Sequence, residues 1–165
     1  MAIFSRLRLL FFSFIITTGT ISNVSGTVFT LMNSCSYTVW PGILTGNGGA
    51  QIGGGGFALP SGSSSQVTAP PGWSGRIWGR TGCNFDASGT GKCVTGDCGG
   101  KLKCAGAGGA SPATLAEFTI GSAGGNSAMD FYDVSLVDGY NVKMGVKPQG
   151  GSGKATAKTW DAFRT

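Results

Sequence analysis

The stretch Cys83-Asn84-Phe85-Asp86-Ala87-Ser88-Gly89-Thr90-Gly91-Lys92-Cys93-Val94-Thr95-Gly96-Asp97-Cys98-Gly99-Gly100-Lys101-Leu102-Lys103-Cys104 holds four of the five cysteines of this 165-residue chain. Glycines and a Thr-Gly-Asp turn signal separate them. Such spacing suits short disulfide-closed loops in an oxidising compartment. The competing reading is a zinc site, but structural zinc prefers closely paired ligands, and the chain has no histidine. Disulfides are therefore expected, with no metal and no cofactor. Three pairings of the four cysteines are open. The sequential one, Cys83–Cys93 and Cys98–Cys104, is simplest, each bond closing a loop for about 2–3 kcal/mol in the chain-entropy picture. Cys35 is then left over as a free thiol. A monomer is expected, with a Cys35-linked dimer as the alternative.

The compartment is legible at the other end of the chain. Arg6 and Arg8 precede the apolar run Leu9-Leu10-Phe11-Phe12-Ser13-Phe14-Ile15-Ile16, and small residues follow up to Gly26. That order is the pattern of a cleaved signal peptide, and the run is too short to span a bilayer. Residues 1–26 are read as a signal peptide, so the protein is expected to be secreted, with no stable membrane insertion. Losing Arg6 and Arg8 lowers the net charge of +5 to +3. The remaining cations are scattered, which excludes a nucleic-acid patch.

Thirty-one glycines and only 12% charged residues argue against helices. Apolar residues alternate at period two in Val28–Met32, Tyr37–Trp40, Gln66–Thr68, Arg76–Trp78, Glu117–Ile120, Phe131–Val137 and Val142–Val146. Gly, Pro, Ser or Asn punctuate nearly every gap. The expected architecture is one all-β sandwich domain over residues 27–149, stapled by disulfides. Residues 46–56 read as a flexible loop, without the Lys-Ser/Thr that a phosphate cradle needs. Residues 150–165 lose both alternation and cysteines, and are expected to be a divergent, poorly ordered tail.

The absence of histidine removes the Ser-His-Asp triad and the Cys-His pair. Any catalysis here must come from carboxylates.

Several motifs together resemble plant thaumatin-like proteins, the pathogenesis-related relatives of osmotin. They are Gly89–Gly100 through Cys104, Asn33–Gly42, Arg76–Asp86, Ala113–Thr119 and Asp130–Asn141. The resemblance runs in order from about Thr27 to Gln149. It implies a β-sandwich facing an acidic cleft, a defence role against fungi, and β-1,3-glucan or the fungal cell surface as partner. Matched motif by motif, it implies that Arg76, Glu117, Asp133 and Asp138 line the cleft. Members of the usual size continue into a cysteine-rich lobe that carries the other cleft wall and a partner for Cys35. The resemblance thus implies a shortened form, whether a truncated or spliced product or a gene-model artefact.

Two readings of the carboxylates follow. In the first, the acidic face binds glucan. In the second the chain is a weak endo-β-1,3-glucanase, with Glu117 and Asp133 as its acid and nucleophile or base, Asp138 tuning their charge and Arg76 orienting a carboxylate. An inactive product is a third outcome. The structural alternative is that Glu117 pairs with Arg76 while the aspartates end a strand and cap a turn. Trp40, Trp73, Trp78, Phe85 and Phe131 could stack on sugar rings, but most are expected in the core. Asp97 is assigned to the turn between the disulfides.

Overall fold

The alternating segments pair antiparallel, as half-buried strands must if one face is to be dry. The computed structural model describes residues 26–46, 48–122 and 129–150. The proposed signal peptide and the tail from 151 onward lie outside the described residues. Eight strands follow in order: β1 (Thr27–Met32), β2 (Trp40–Thr45), β3 (Ser64–Ala69), β4 (Ser74–Arg80), β5 (Asn84–Phe85), β6 (Gly91–Lys92), β7 (Leu115–Thr119) and β8 (Phe131–Ser135). The one helical element among the described residues is a short 3-10 turn at Gly53–Gly55. The all-β expectation holds.

β1 and β3 form one layer, and β2-β4-β7-β8 form the other in that spatial order. Between them lies the main core of Leu31, Ile43, Leu59, Val67, Trp73, Ile77 and Ile120. Phe29 closes it by meeting Trp73 edge-on at 5.6 Å and Phe118 at 4.7 Å between ring centroids. On β4, Ile77 points into this core, so Arg76, Trp78 and Arg80 point to the outer face.

The cysteine-rich loop covers one end of that outer face. Cys83 is bonded to Cys93 and Cys98 to Cys104. Cys98, Cys104, Ala113 and Leu115 pack on the fully buried Trp78, whose indole N–H donates to the carbonyl of Gly96 at 2.8 Å. Glycines make this close approach possible. A Cβ on Gly42 or on Gly109 would stand 2.5 Å from the indole.

Arg80, two residues on, is buried under the same loop. It donates to the carbonyls of Trp40 (3.0 Å), Pro41 (3.2 Å), Lys101 (2.8 Å) and Leu102 (2.7 Å), and its guanidinium lies over Phe85. Burial pushes its pKa down from the ordinary guanidinium value to about 10, with Asp97 opposing the shift. It therefore stays charged at physiological pH, and its hydrogen bonds tie the loop to β2.

Four segment readings need correction. Tyr37–Trp40 is not a strand. Val39 makes an isolated bridge to Leu59, and the strand begins at Trp40 and continues through Pro41, a residue tolerated because β2 is a sheet edge. Val142–Val146 is not a strand either. Val142 and Met144 are buried beside Cys35, Val39 and Ala116, so the alternation there reports burial, with only a single bridge position at Lys143 in place of a strand. β8 stops at Ser135 rather than Val137. Within 46–56, Ile52 and Gly55 are buried, and Gly56 bridges to Gly42, so this end of the segment is packed structure.

Candidate functional site

Register decides which outer-face side chains meet. Leu44 is opposite Arg76, Arg76 opposite Glu117, and Glu117 opposite Asp133. The four residues form one row across β2, β4, β7 and β8. Directly opposed residues in antiparallel sheets hold their Cβ atoms about 4.5–5.5 Å apart. The next row toward the open end is Ser74, Thr119 and Phe131. The next row toward the disulfides is Gly42, Trp78, Leu115 and Ser135, of which Gly42, Trp78 and Leu115 are buried, Trp78 and Leu115 against Cys98 and Cys104 of the cysteine-rich loop. The charged row is the first one that the loop leaves open.

Here lies an open groove of about 570 Å3 lined by Leu44, Gly75, Arg76, Glu117, Thr119, Phe131 and Asp133, among others. Every lining residue comes from the four-stranded sheet or its immediate turns. Arg76 and Glu117 are half-buried and Asp133 is exposed. Gly108 sits against Arg76, where a Cβ would stand 3.1 Å from Nη2. The loop between the second disulfide and β7 thus props the guanidinium from one side.

Among the described residues, Arg76, Glu117 and Asp133 form no side-chain hydrogen bond or ion pair. The expected structural ion pair between Arg76 and Glu117 is absent there, despite their facing register. A cation, a carboxylate and a second carboxylate stand side by side with their polar atoms uncommitted. That arrangement can donate to, and accept from, a polyhydroxylated ligand. Phe131, exposed at the rim, offers an apolar ring face beside them.

Asp138 stands apart. It lies in the turn closed by Gly139 N–H to Leu136 carbonyl (3.0 Å), and its own carbonyl accepts from Ala113 N–H at 3.0 Å. Ala113 is four residues from Glu117 toward the disulfide-covered end, roughly 13 Å along the strand at about 3.4 Å per residue. The structure brings together Arg76, Glu117 and Asp133, and Asp138 does not line the groove.

The remaining candidates have structural surroundings. Asp97 accepts from Cys93 N–H (2.9 Å) and Gly100 N–H (2.8 Å), bracing the loop between the disulfides. Trp73 and Trp78 are buried, and Cys35 is only 2% exposed. Among the described residues no three of Asp, Glu, Cys or His converge as metal ligands. Sequence reasoning did not single out Thr119 or Leu44 as groove residues, because only register places them there. The motif match singled out Arg76, but alternation alone does not separate it from Arg80. Both share a strand face, and only the fold of the cysteine-rich loop buries one and leaves the other open.

Comparisons with known proteins agree with this architecture. The model of the thaumatin family matches residues 33–162. The chain is 61% identical over 153 residues to pathogenesis-related protein 5 of Arabidopsis thaliana, covering 93% of this chain and 60% of that protein. It is 60% identical over 127 residues to pathogenesis-related thaumatin-like protein 3.5 of Cryptomeria japonica, covering 77% and 50%. A glucan endo-1,3-beta-glucosidase of Prunus avium is 53% identical over 122 residues, covering 73% and 49%. The chain spans between about half and three-fifths of the length of these relatives. Among solved structures, the thaumatin-like xylanase inhibitor TLXI superposes with a TM-score of 0.59 at 43% identity, covering 72% of this chain and 74% of that one.

Proposed function

The chain belongs to the thaumatin family, and from that premise we propose that it is a secreted plant defence protein that binds β-1,3-glucan of fungal walls along the groove at Arg76, Glu117 and Asp133. The observation that carries this reading is the in-register row on β4, β7 and β8, whose charged side chains are left uncommitted in an open groove. A glucan strand offers alternating hydroxyl donors and acceptors. Arg76 would donate to sugar oxygens, Glu117 and Asp133 would accept from hydroxyls, and Phe131 would stack on a ring face. The name of the Prunus avium relative supports a glucan as ligand class. The two disulfides and the pathogenesis-related relatives fit an extracellular setting.

The glucanase reading rests on the directly opposed Glu117 and Asp133. Retaining glycosidases hold their carboxyl groups about 5–5.5 Å apart, close to the Cβ spacing of opposed residues. Against it stands the open groove with an exposed Asp133, where among the described residues nothing from a second layer covers the pair. Binding is the reading that the geometry favours.

The test is to incubate the oxidised chain with insoluble β-1,3-glucan and measure the bound fraction and released reducing sugar together. Retention without sugar release supports the binding reading. Sugar release that disappears in Glu117→Gln, with retention kept, would transfer the assignment to a glucanase. No retention contradicts both.

A further inference from the structure

The charged row opens onto more surface on one side than on the other. On the disulfide side the groove is closed, because a Cβ on Gly108 would stand 3.1 Å from Arg76 Nη2 and 3.9 Å from Leu44 Cδ2. On the opposite side the chain of β4 leads back from Arg76 through Ser74 to the Pro70–Trp73 turn. A second cleft of about 250 Å3 opens there, lined by Ala50, Pro70, Pro71, Trp73 and Ser74 among others. Gly46 lines both the groove and this cleft, so the two adjoin. Arg76 and Ser74 are two strand residues apart, about 7 Å. A ligand leaving the charged row therefore meets the cleft almost at once.

Hydrogen bonds fix both walls of the cleft. On one side Trp73 N–H donates to Pro70 carbonyl (3.1 Å), Gly72 N–H to Gly121 carbonyl (3.2 Å) and Ile120 N–H to Trp73 carbonyl (2.8 Å). The proline turn is thereby pinned to the end of β7. On the other side Gly46 N–H donates to Ser74 carbonyl at 2.8 Å. The Trp73 indole N–H donates to the Thr45 hydroxyl at 3.0 Å, which in turn donates to Ala50 carbonyl at 3.1 Å. A cleft held in shape before a ligand arrives loses less to ordering on binding.

Its chemistry is neutral. Among the described residues no charged side chain lines it. Its walls are proline rings and glycine backbone, and the Ser74 hydroxyl at its mouth makes no hydrogen bond among the described residues. A Cβ on Gly46 would stand 3.2 Å from that hydroxyl, so the absence of a side chain at Gly46 keeps the passage from groove to cleft clear. An acidic or sulfated polymer would meet no cation here. A neutral sugar chain would meet a free hydroxyl, and apolar surface for the C–H faces of its rings. The geometry points to this cleft as a second subsite, taking further units of a neutral glucan that passes from Asp133, Glu117 and Arg76 over Ser74 and Gly46. The assignment rests on the glucan reading of the charged row, and it adds a direction and a length requirement for the ligand.

Calorimetric titration of the oxidised chain with the β-1,3-linked glucose trisaccharide and hexasaccharide tests it, in wild type, Ser74→Ala and Ala50→Leu. A hydrogen bond and new apolar contact in the cleft should make wild type bind the hexasaccharide about tenfold more tightly than the trisaccharide. Both variants should keep the wild-type trisaccharide affinity and lose most of that gain. In the unmutated chain the Trp73 indole N–H resonance should shift with the hexasaccharide and stay in place with the trisaccharide. Equal wild-type affinity for the two lengths, an undiminished gain in the variants, or an indole resonance that ignores the hexasaccharide overturns the second subsite, while trisaccharide binding upholds the charged row. Failure of wild type to bind either length overturns the glucan reading itself, and the subsite with it.

Discussion

Arg76 and Glu117 face each other in register across β4 and β7, yet no ion pair joins them among the described residues. A surface ion pair is worth little in any case, about 0–1 kcal/mol. Leaving it unformed costs the fold little and keeps both groups available to a ligand. Arg76→Ala should accordingly weaken glucan retention about tenfold or more, since hydrogen bonds to charged groups carry about 1.5–3 kcal/mol. It should shift the thermal midpoint very little. Retention isotherms and calorimetry on the same preparation read both effects, and a large loss of stability with unchanged retention would make Arg76 structural.

Arg80, on the same strand face, should behave in the opposite way. Arg80→Met removes the donor to four carbonyls on β2 and the cysteine-rich loop. Each buried acceptor left unsatisfied costs about 1–3 kcal/mol. Denaturant unfolding should show a loss of at least about 3 kcal/mol, and the oxidised protein that still folds should retain glucan binding.

The clasp on Trp78 gives a steric prediction. Gly109→Ala puts a methyl group 2.5 Å from the indole Nε1, and overpacking of this kind typically costs about 1–3 kcal/mol. Unfolding curves should register that loss, and an unchanged midpoint would show that the loop simply moves aside.

Acid sensitivity should be found at Asp86. Its carboxylate accepts from the Ser88 hydroxyl (2.6 Å), Thr90 N–H (2.9 Å) and Ser88 N–H (2.9 Å). The Ser88 hydroxyl foremost, then the Thr90 and Ser88 amides and the charge of Lys101, holds its pKa below the ordinary 3.8. A depressed carboxylate contributes stability above its unfolded pKa and loses it as pH falls through the folded one. Asp86→Asn should therefore narrow the gap between thermal midpoints measured near neutrality and in acid below 3.8. A gap as wide as in the wild type would contradict this account of the 86–90 turn.

Cys35 is buried among Val39, Ala116, Val142 and Met144. A buried thiol is slow to react because exposure governs attack. Native oxidised protein should show no thiol toward a colorimetric reagent and one after denaturation. Linked dimers should appear on non-reducing gels only after unfolding.

Much of this was legible in the sequence, for physical reasons that differ by segment. β7 and β8 announce themselves because Phe118, Ile120 and Tyr132 alternate with polar residues over one dry and one wet face. β2 is hidden because Pro41 and Gly42 read as punctuation. Their roles, an edge proline and a seat for Trp78, exist only once β4 is alongside. Val142–Val146 alternates as a strand would, because Val142 and Met144 are buried, yet among the described residues it forms only a single bridge position at Lys143 and no strand. The groove lies in between. Arg76, Glu117 and Asp133 can be named from the chain, but their convergence is a matter of register, which alternation does not set. Asp138 was grouped with them by motif, and the end of β8 at Ser135 carries it away.

The central claim is that the row Arg76–Glu117–Asp133 is where glucan binds. Its most direct test is NMR titration of the oxidised, isotope-labelled chain with a soluble β-1,3-glucan oligosaccharide. The account predicts that amide shifts concentrate on β4 around Arg76, on β7 around Glu117 and Thr119, and on β8 around Phe131 and Asp133, and that they vanish in Arg76→Ala. Shifts confined to the cysteine-rich loop, or none at saturating sugar, would contradict it.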